Sequence, residues 1–332
     1  MDGYNSYSLH LFRIVEGLTK LGRDVTVFPV TVDIGRAPVP KLVQESLVNK
    51  HQLEPWEMIV HCPSFMPDGD KRVVYNTMWE STRLHKEYIL NLNRSSLIIV
   101  PSTFNLATFN AQGVRQTMAK VPMGIDTSIY HYQPPTRKDY YVFGAAGRTK
   151  AGGCRKGLQD VVDAWRKAFP KRVKDVRLHI KCYPDDPDLD INDERVLVTK
   201  EFWTRKQLAM FYQKIDCLAS ASKGEGWGLM QHEAMATGRA VIAVPFGGIT
   251  EFFDDSVGYP VDFTLEPAGE HYRNGGLWAK PKLDSLVDCM RYVYDTRRNA
   301  KELAASERAM NLSWGHSNKI LDQTLVKAGF YK

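Results

Sequence analysis

Short apolar runs alternate with amphipathic helical stretches along almost the whole chain, and a polar stretch with two adjacent prolines interrupts them once. That pattern buries strands between helices and predicts an α/β chain with parallel sheets. Before the interruption, residues 6–21 place Leu9, Phe12, Ile14, Val15, Leu18 and Leu21 at helical spacing, and Gly22 stops the helix. Strands are expected over 24–30, 58–61, 73–75 and 97–100, and helices over 82–93 and 104–112. Residues 131–138 (HYQPPTRK) read as a linker, because Pro-Pro neither continues a helix nor pairs in a central strand. The alternation then restarts, with strands over 140–145, 176–181, 217–219 and 240–244. Helices are expected over 158–169, 205–214 and 230–237, and three more over 283–297, 299–310 and 314–328. Residues 262–282 carry Gly-Gly, two prolines and few apolar residues, and read as a long surface loop.

A chain of 332 residues with this restart predicts two Rossmann-like halves around a cleft. Charged residues make up 25% and hydrophobic residues 43%, which excludes a disordered or coiled-coil chain. No apolar run approaches the roughly 18 residues of a membrane helix. The five cysteines (Cys62, Cys154, Cys182, Cys217, Cys289) are scattered, with no C-x-x-C pair, as expected of reduced thiols in the cytoplasm. A net charge of +6 suits phosphate-bearing ligands or an anionic surface, such as a peripheral membrane contact, without marking a nucleic-acid binder.

Two Rossmann-like halves invite a dinucleotide, but no G-x-G-x-x-G follows a strand. P-loop, H-E-x-x-H and G-x-S-x-G motifs are absent too, and no histidine or carboxylate cluster has metal spacing, so no metal or cofactor is expected.

The segment 223–233, KGEGWGLMQHE, is the richest in chemistry. Gly224, Gly226 and Gly228 alternate between an expected strand and an expected helix, and let the backbone approach a ligand closely. The helix opening at about Met230 offers free N–H groups and a dipole that favour an anion. This predicts a phosphate cradle at the carboxyl end of a strand. Glu225 and Glu233 flank it with seven residues between them. Carboxylates repel phosphate but accept from sugar hydroxyls, so two of them around one cradle predict two sugars about a diphosphate: a nucleotide sugar.

The Glu-seven residues-Glu element, followed by Glu233-Ala234-Met235-Ala236-x-Gly238 and Gly247-Gly248-x-x-Glu251, resembles glycosyltransferase family 4. The resemblance extends to Asp2-Gly3-Tyr4, Pro101-Ser102-x-Phe104-Asn105, residues 121–126, Gly147-Arg148, Arg155-Lys156-Gly157 and Trp314. It implies the GT-B fold, two Rossmann-like domains with parallel sheets facing a central cleft. Residues 1–135 would form the acceptor-side domain, completed by the last helix (about 312–332), and 136–311 the domain that binds the nucleotide sugar. It implies that the donor's configuration is retained, by a metal-independent front-face mechanism. Glu233 would hold the ribose and Glu225 the transferred sugar, while Arg148 and Lys156 bind the diphosphate, with Lys150 and Arg155 as competitors for that task. Gly3, Gly226, Gly228 and Leu229 complete the donor side. His61 is similar in position to a histidine that contacts the donor sugar, a cleft-wall histidine being the alternative. Glu80 is a candidate for the acceptor side or a helix-start residue. The acceptor is left open: glycan, lipid-linked, small molecule or modified DNA. A non-catalytic nucleotide-sugar binding module, a DNA-modifying glycosyltransferase and a phosphorylase-like enzyme are the rivals.

One feature of the pattern is unusual. The glycine loop at Gly3 has no room for a strand before it, so the first strand of the N-terminal domain is expected to be missing from the chain, as in a fragment or a misassigned start.

Overall fold

The computed structural model describes residues 6–27, 45, 57–60, 72–134, 138–149, 154–269, 272, 275–297 and 301–330. Two parallel sheets form the frame. The first is built from β1 (Glu57–Val60), β2 (Arg72–Asn76), β3 (Leu97–Val100) and β4 (Met118–Lys120), in that spatial order. Its helices are α1 (Ser6–Lys20), α2 (Lys86–Leu92) and α3 (Thr103–Ala111). β3 is buried throughout, as a strand covered on both faces must be, which is why it reads as an unbroken apolar run.

The second sheet has six strands: β5 (Tyr141–Ala146), β6 (Val176–Cys182), β7 (Val196–Lys200), β8 (Cys217–Ala219), β9 (Ala240–Ala243) and β10 (Tyr259–Pro260). Their order is β10-β9-β8-β5-β6-β7, all parallel. From β5 the chain winds outward through β6 and β7, then returns to the other side of β5 for β8. The switch point, where open α/β sheets bind ligands beyond the carboxyl ends of their strands, therefore lies between β5 and β8.

The helices of this half follow from local chemistry. α4 (Leu158–Ala168) buries Leu158, Val161, Val162, Ala164, Trp165 and Ala168, and α5 (Arg205–Lys214) opens on a capping box between Thr204 and Gln207. α6 (Leu229–Ala236) opens at Gly228, whose φ of 100° is left-handed and suits glycine. α7 (Leu283–Thr296) and α8 (Lys301–Met310) follow. The last helix, α9 (Trp314–Lys327), crosses back to the first half. Leu321 and Leu325 share an apolar cluster with Ile14, Leu18, Val74 and Ile99, and Asn318 donates to the Arg13 carbonyl at 3.0 Å.

Residues 262–282 depart from the sequence expectation. They form an antiparallel hairpin, β11 (Phe263–Pro267) against β12 (Leu277–Pro281), instead of a loose surface loop. Trp278 and Tyr272 are buried, and both pack into the apolar cluster of the first half. The strand's alternation was hidden by its prolines and glycines. β7 is a strand that the sequence analysis does not include; its short apolar run, Val196-Leu197-Val198, sits on a half-exposed sheet edge among polar residues. Residues 82–85 precede α2 rather than belonging to it, because they dock on the hairpin: Thr82 N–H donates to Leu277 O at 3.0 Å. Of the strand expected over 24–30, the structure shows a single bridge at Val27; residues 28–30 lie outside the described set, as do residues 1–5, on which the missing first strand turns. No described helix is long and apolar enough to cross a membrane.

Candidate active site

The glycine loop leaves the end of β8 at the switch point and is pressed between backbone on two sides. A Cβ on Gly224 would stand 2.1 Å from the carbonyl oxygen of Glu80 in the first half. One on Gly226 would stand 2.6 Å from the Met78 sulfur, and one on Gly248 1.9 Å from Gly226 O. Gly248 N–H donates to Glu225 O at 2.7 Å, and Glu225 pairs with Gly247 in an isolated parallel bridge. At 224 the closeness that requires glycine is thus to backbone of the protein's own first half, and at 226 the neighbour is the Met78 side chain of the same loop. The amides at the start of α6 lie directly beyond.

This packing buries Glu225 against two half-buried cations. Lys156 Nζ lies 2.6 Å from Glu225 Oε1, and Arg155 Nη1 lies 3.5 Å from Oε2. Arg155 also donates to the Gly224 carbonyl. Burial pushes the Glu225 carboxyl up, but Lys156 and Arg155 outweigh it and hold the group at about 2. Burial pulls the Lys156 ammonium down from the ordinary lysine range, against the pull of Glu225. Both cations come from the turn that leads into α4, so β5 and β8 each contribute one side of the cluster.

Glu233 is the fifth residue of α6 and is buried. Tyr212 donates its hydroxyl to Glu233 Oε2 at 2.9 Å, and Arg205 Nη1 reaches Oε1 at 3.3 Å. Burial raises its carboxyl above the usual range, with Arg205 and Tyr212 opposing. Arg205 and Tyr212 lie on α5, and no sequence signal places them beside Glu233; only the packing of α5 against α6 does.

Arg148, at the carboxyl end of β5, stands apart from the Glu225 cluster. Its Nη2 lies 2.6 Å from both oxygens of Asp185, and its guanidinium lies over the Tyr183 ring at 4.6 Å. Lys181 shares that ring from 3.8 Å, and burial lowers its ammonium to about 8. Arg155, one of the sequence's competing cations, is the residue that joins Lys156 on Glu225. Glu80 is buried; its Oε2 accepts from the Tyr272 hydroxyl at 3.0 Å, and its Oε1 lies 3.8 Å from Arg155 Nη2. Tyr272 carried no sequence signal, since it sits in the stretch read as loop. Gly3, His61 and Lys150 lie outside the described residues. Among the described residues, no three His, Cys, Asp or Glu side chains come together as a metal-holding group.

Residues 141–271 match the family model described as glycosyl transferases group 1. A D-inositol 3-phosphate glycosyltransferase from Pseudarthrobacter chlorophenolicus is 26% identical over 266 residues, 76% of this chain, and the match spans 55% of that relative's length. A glycosyltransferase from Rickettsia africae superposes with a TM-score of 0.70 at 13% identity, over 98% of this chain and 95% of the other. Anabaena HepE, solved with UDP and glucose, superposes with a TM-score of 0.57 at 19% identity, over 77% and 72% of the two chains.

Proposed function

We propose that this chain, whose fold is that of the GT-B glycosyltransferases, moves a sugar from a nucleotide-diphosphate donor to an acceptor with retention of configuration and without a metal. The observation that carries the reading is the charged cluster of buried Glu225 with half-buried Lys156 and Arg155 at the switch point, beside the open N-terminus of α6. A diphosphate set against the amides of Leu229 and Met230 would meet the α6 dipole on one side and Lys156 on the other. Glu225, held ionised, would accept from hydroxyls of the transferred sugar, and Glu233 from the ribose. HepE's bound UDP and glucose represent the same ligand classes.

In the reaction the bond from the sugar's anomeric carbon to the phosphate oxygen breaks, and the acceptor oxygen bonds to that carbon on the same face. The acceptor's proton passes to the departing phosphate. Negative charge grows on the diphosphate as the bond lengthens, so fixed cations there favour the transition state over the ground state. Arg148 would add its guanidinium once the diphosphate displaces Asp185. The same reading places the protein in the cytoplasm, where nucleotide sugars are available.

A thermal-shift panel of nucleoside diphosphates and their sugars tests donor binding, since a ligand of the folded state raises the melting temperature by mass action. NMR of the first-formed product tests retention, and an inverted anomer excludes the front-face path. Activity that chelator abolishes and manganese restores would overturn the metal-free step.

A further inference from the structure

We propose that Glu80, Tyr272 and Arg155 are a positioning network that links contact between the two domains to Glu225. The proposal rests on the reading of Glu225 as the carboxylate that holds the transferred sugar, and adds to it the residues that set its state.

The three side chains come from three separate segments. Glu80 lies on the loop after β2, Arg155 on the turn before α4, and Tyr272 on the connection between β11 and β12. The hairpin reaches over the first domain and grips it. Leu277 N–H donates to Thr82 Oγ1 at 2.8 Å while Thr82 N–H donates to Leu277 O at 3.0 Å. Tyr272 also packs edge-on against Trp79, with ring centroids 5.0 Å apart. Glu80 is therefore held from both sides, by the hairpin through the Tyr272 hydroxyl and by Arg155 through charge.

Arg155 faces two carboxylates at once, Glu80 at 3.8 Å and Glu225 at 3.5 Å. A carboxylate fully engaged by two cations is a poor acceptor for sugar hydroxyls. With Glu80 in place, the Arg155 charge is divided, and Glu225 keeps acceptor capacity. Glu80 belongs to the first domain, so its share depends on that domain being seated against the glycine loop. The backbone contact between Gly224 and Glu80 is the seat. If the domains part, Glu80 withdraws and Arg155 turns wholly to Glu225. The network thus readies the sugar site only when the cleft is assembled.

The test uses the full chain and whichever of UDP-, GDP- and ADP-hexose the wild type turns over fastest. Tyr272→Phe and Glu80→Gln are each expected to lower kcat about ten-fold, while Kd for the matching nucleoside diphosphate stays within two-fold. Tyr272→Phe in the Glu80→Gln background should cost less than a further two-fold, because the hydroxyl acts through the carboxylate. Glu80→Asp should recover part of the rate that Glu80→Gln loses. Melting temperatures show that each variant is folded, and rates are taken per folded molecule. Variants with kcat within two-fold of wild type, or losses that multiply independently, would overturn the network while leaving the transferase reading intact. A wild type that binds no nucleoside diphosphate and turns over no donor would overturn that reading, and the network with it.

Discussion

Lys156 Nζ and Glu225 Oε1 stand 2.6 Å apart, joining the turn after β5 to the loop after β8 across 69 residues of sequence. The pair is mostly enclosed, with side-chain exposures of 21% and 11%. Removing one partner strands the other. Lys156→Met should therefore destabilise the fold by about 2–3 kcal/mol, short of the 3–5 typical of a wholly buried pair, because Lys156 retains some water and Arg155 remains. The double variant Lys156→Met/Glu225→Gln should cost clearly less than the sum of the two singles. Urea unfolding at pH 7 measures all three, and simple additivity would show that the pair is not coupled.

Acid should lower the stability of the fold over two successive pH windows. His232 is buried, accepts at Nδ1 from Trp227 Nε1 at 3.1 Å and stacks on Phe252. Burial lowers it from 6.5 to about 4. The unfolded chain takes up a proton below 6.5 that the folded chain refuses until about 4, so this contribution is complete above pH 6.5 and lost as pH falls through that window. Its full size is about 3 kcal/mol. Glu225, lowered from 4.5 to about 2, adds a second loss from pH 4.5 downward. His232→Gln should flatten the limb between pH 6.5 and 4 and leave the lower limb in place. An unchanged upper limb would assign it to another group.

Glu233 is better probed by an isosteric change than by truncation, since its two oxygens are engaged by Tyr212 and Arg205. Glu233→Gln should raise Kd for the nucleoside diphosphate by roughly ten-fold or more, matching the loss of about 1.5–3 kcal/mol when a hydrogen bond to a charged group goes. Calorimetric titration decides it; an unchanged Kd would remove the ribose from Glu233.

The parts of the site that were legible in the sequence are those set by local chemistry. Alternating glycines before a helix, with Glu225 and Glu233 at fixed spacing, announce a loop, a helix start and two carboxylates within eleven residues. β8 and α5 were legible to the residue for the same reason. What stayed hidden depends on distant segments. Tyr272 meets Glu80 across 192 residues, inside a hairpin whose glycines and prolines masked its alternation. Arg155 and Arg148 both looked like candidate cations, and only packing shows that Arg155 faces Glu225 while Arg148 turns to Asp185. The sequence suggests that the glycines at 224 and 226 make room for a ligand, whereas Gly224 admits the Glu80 backbone and Gly226 the Met78 side chain.

Release of nucleoside diphosphate from a panel of UDP-, GDP- and ADP-sugars tests the account most directly, with the wild type and Lys156→Ala measured side by side by chromatography. The wild type should release nucleoside diphosphate from at least one donor. Folded Lys156→Ala should show a fall of about 100-fold or more in kcat, in line with the loss of one group that stabilises transition-state charge. No release from any donor, or a Lys156→Ala rate equal to that of the wild type, would contradict it.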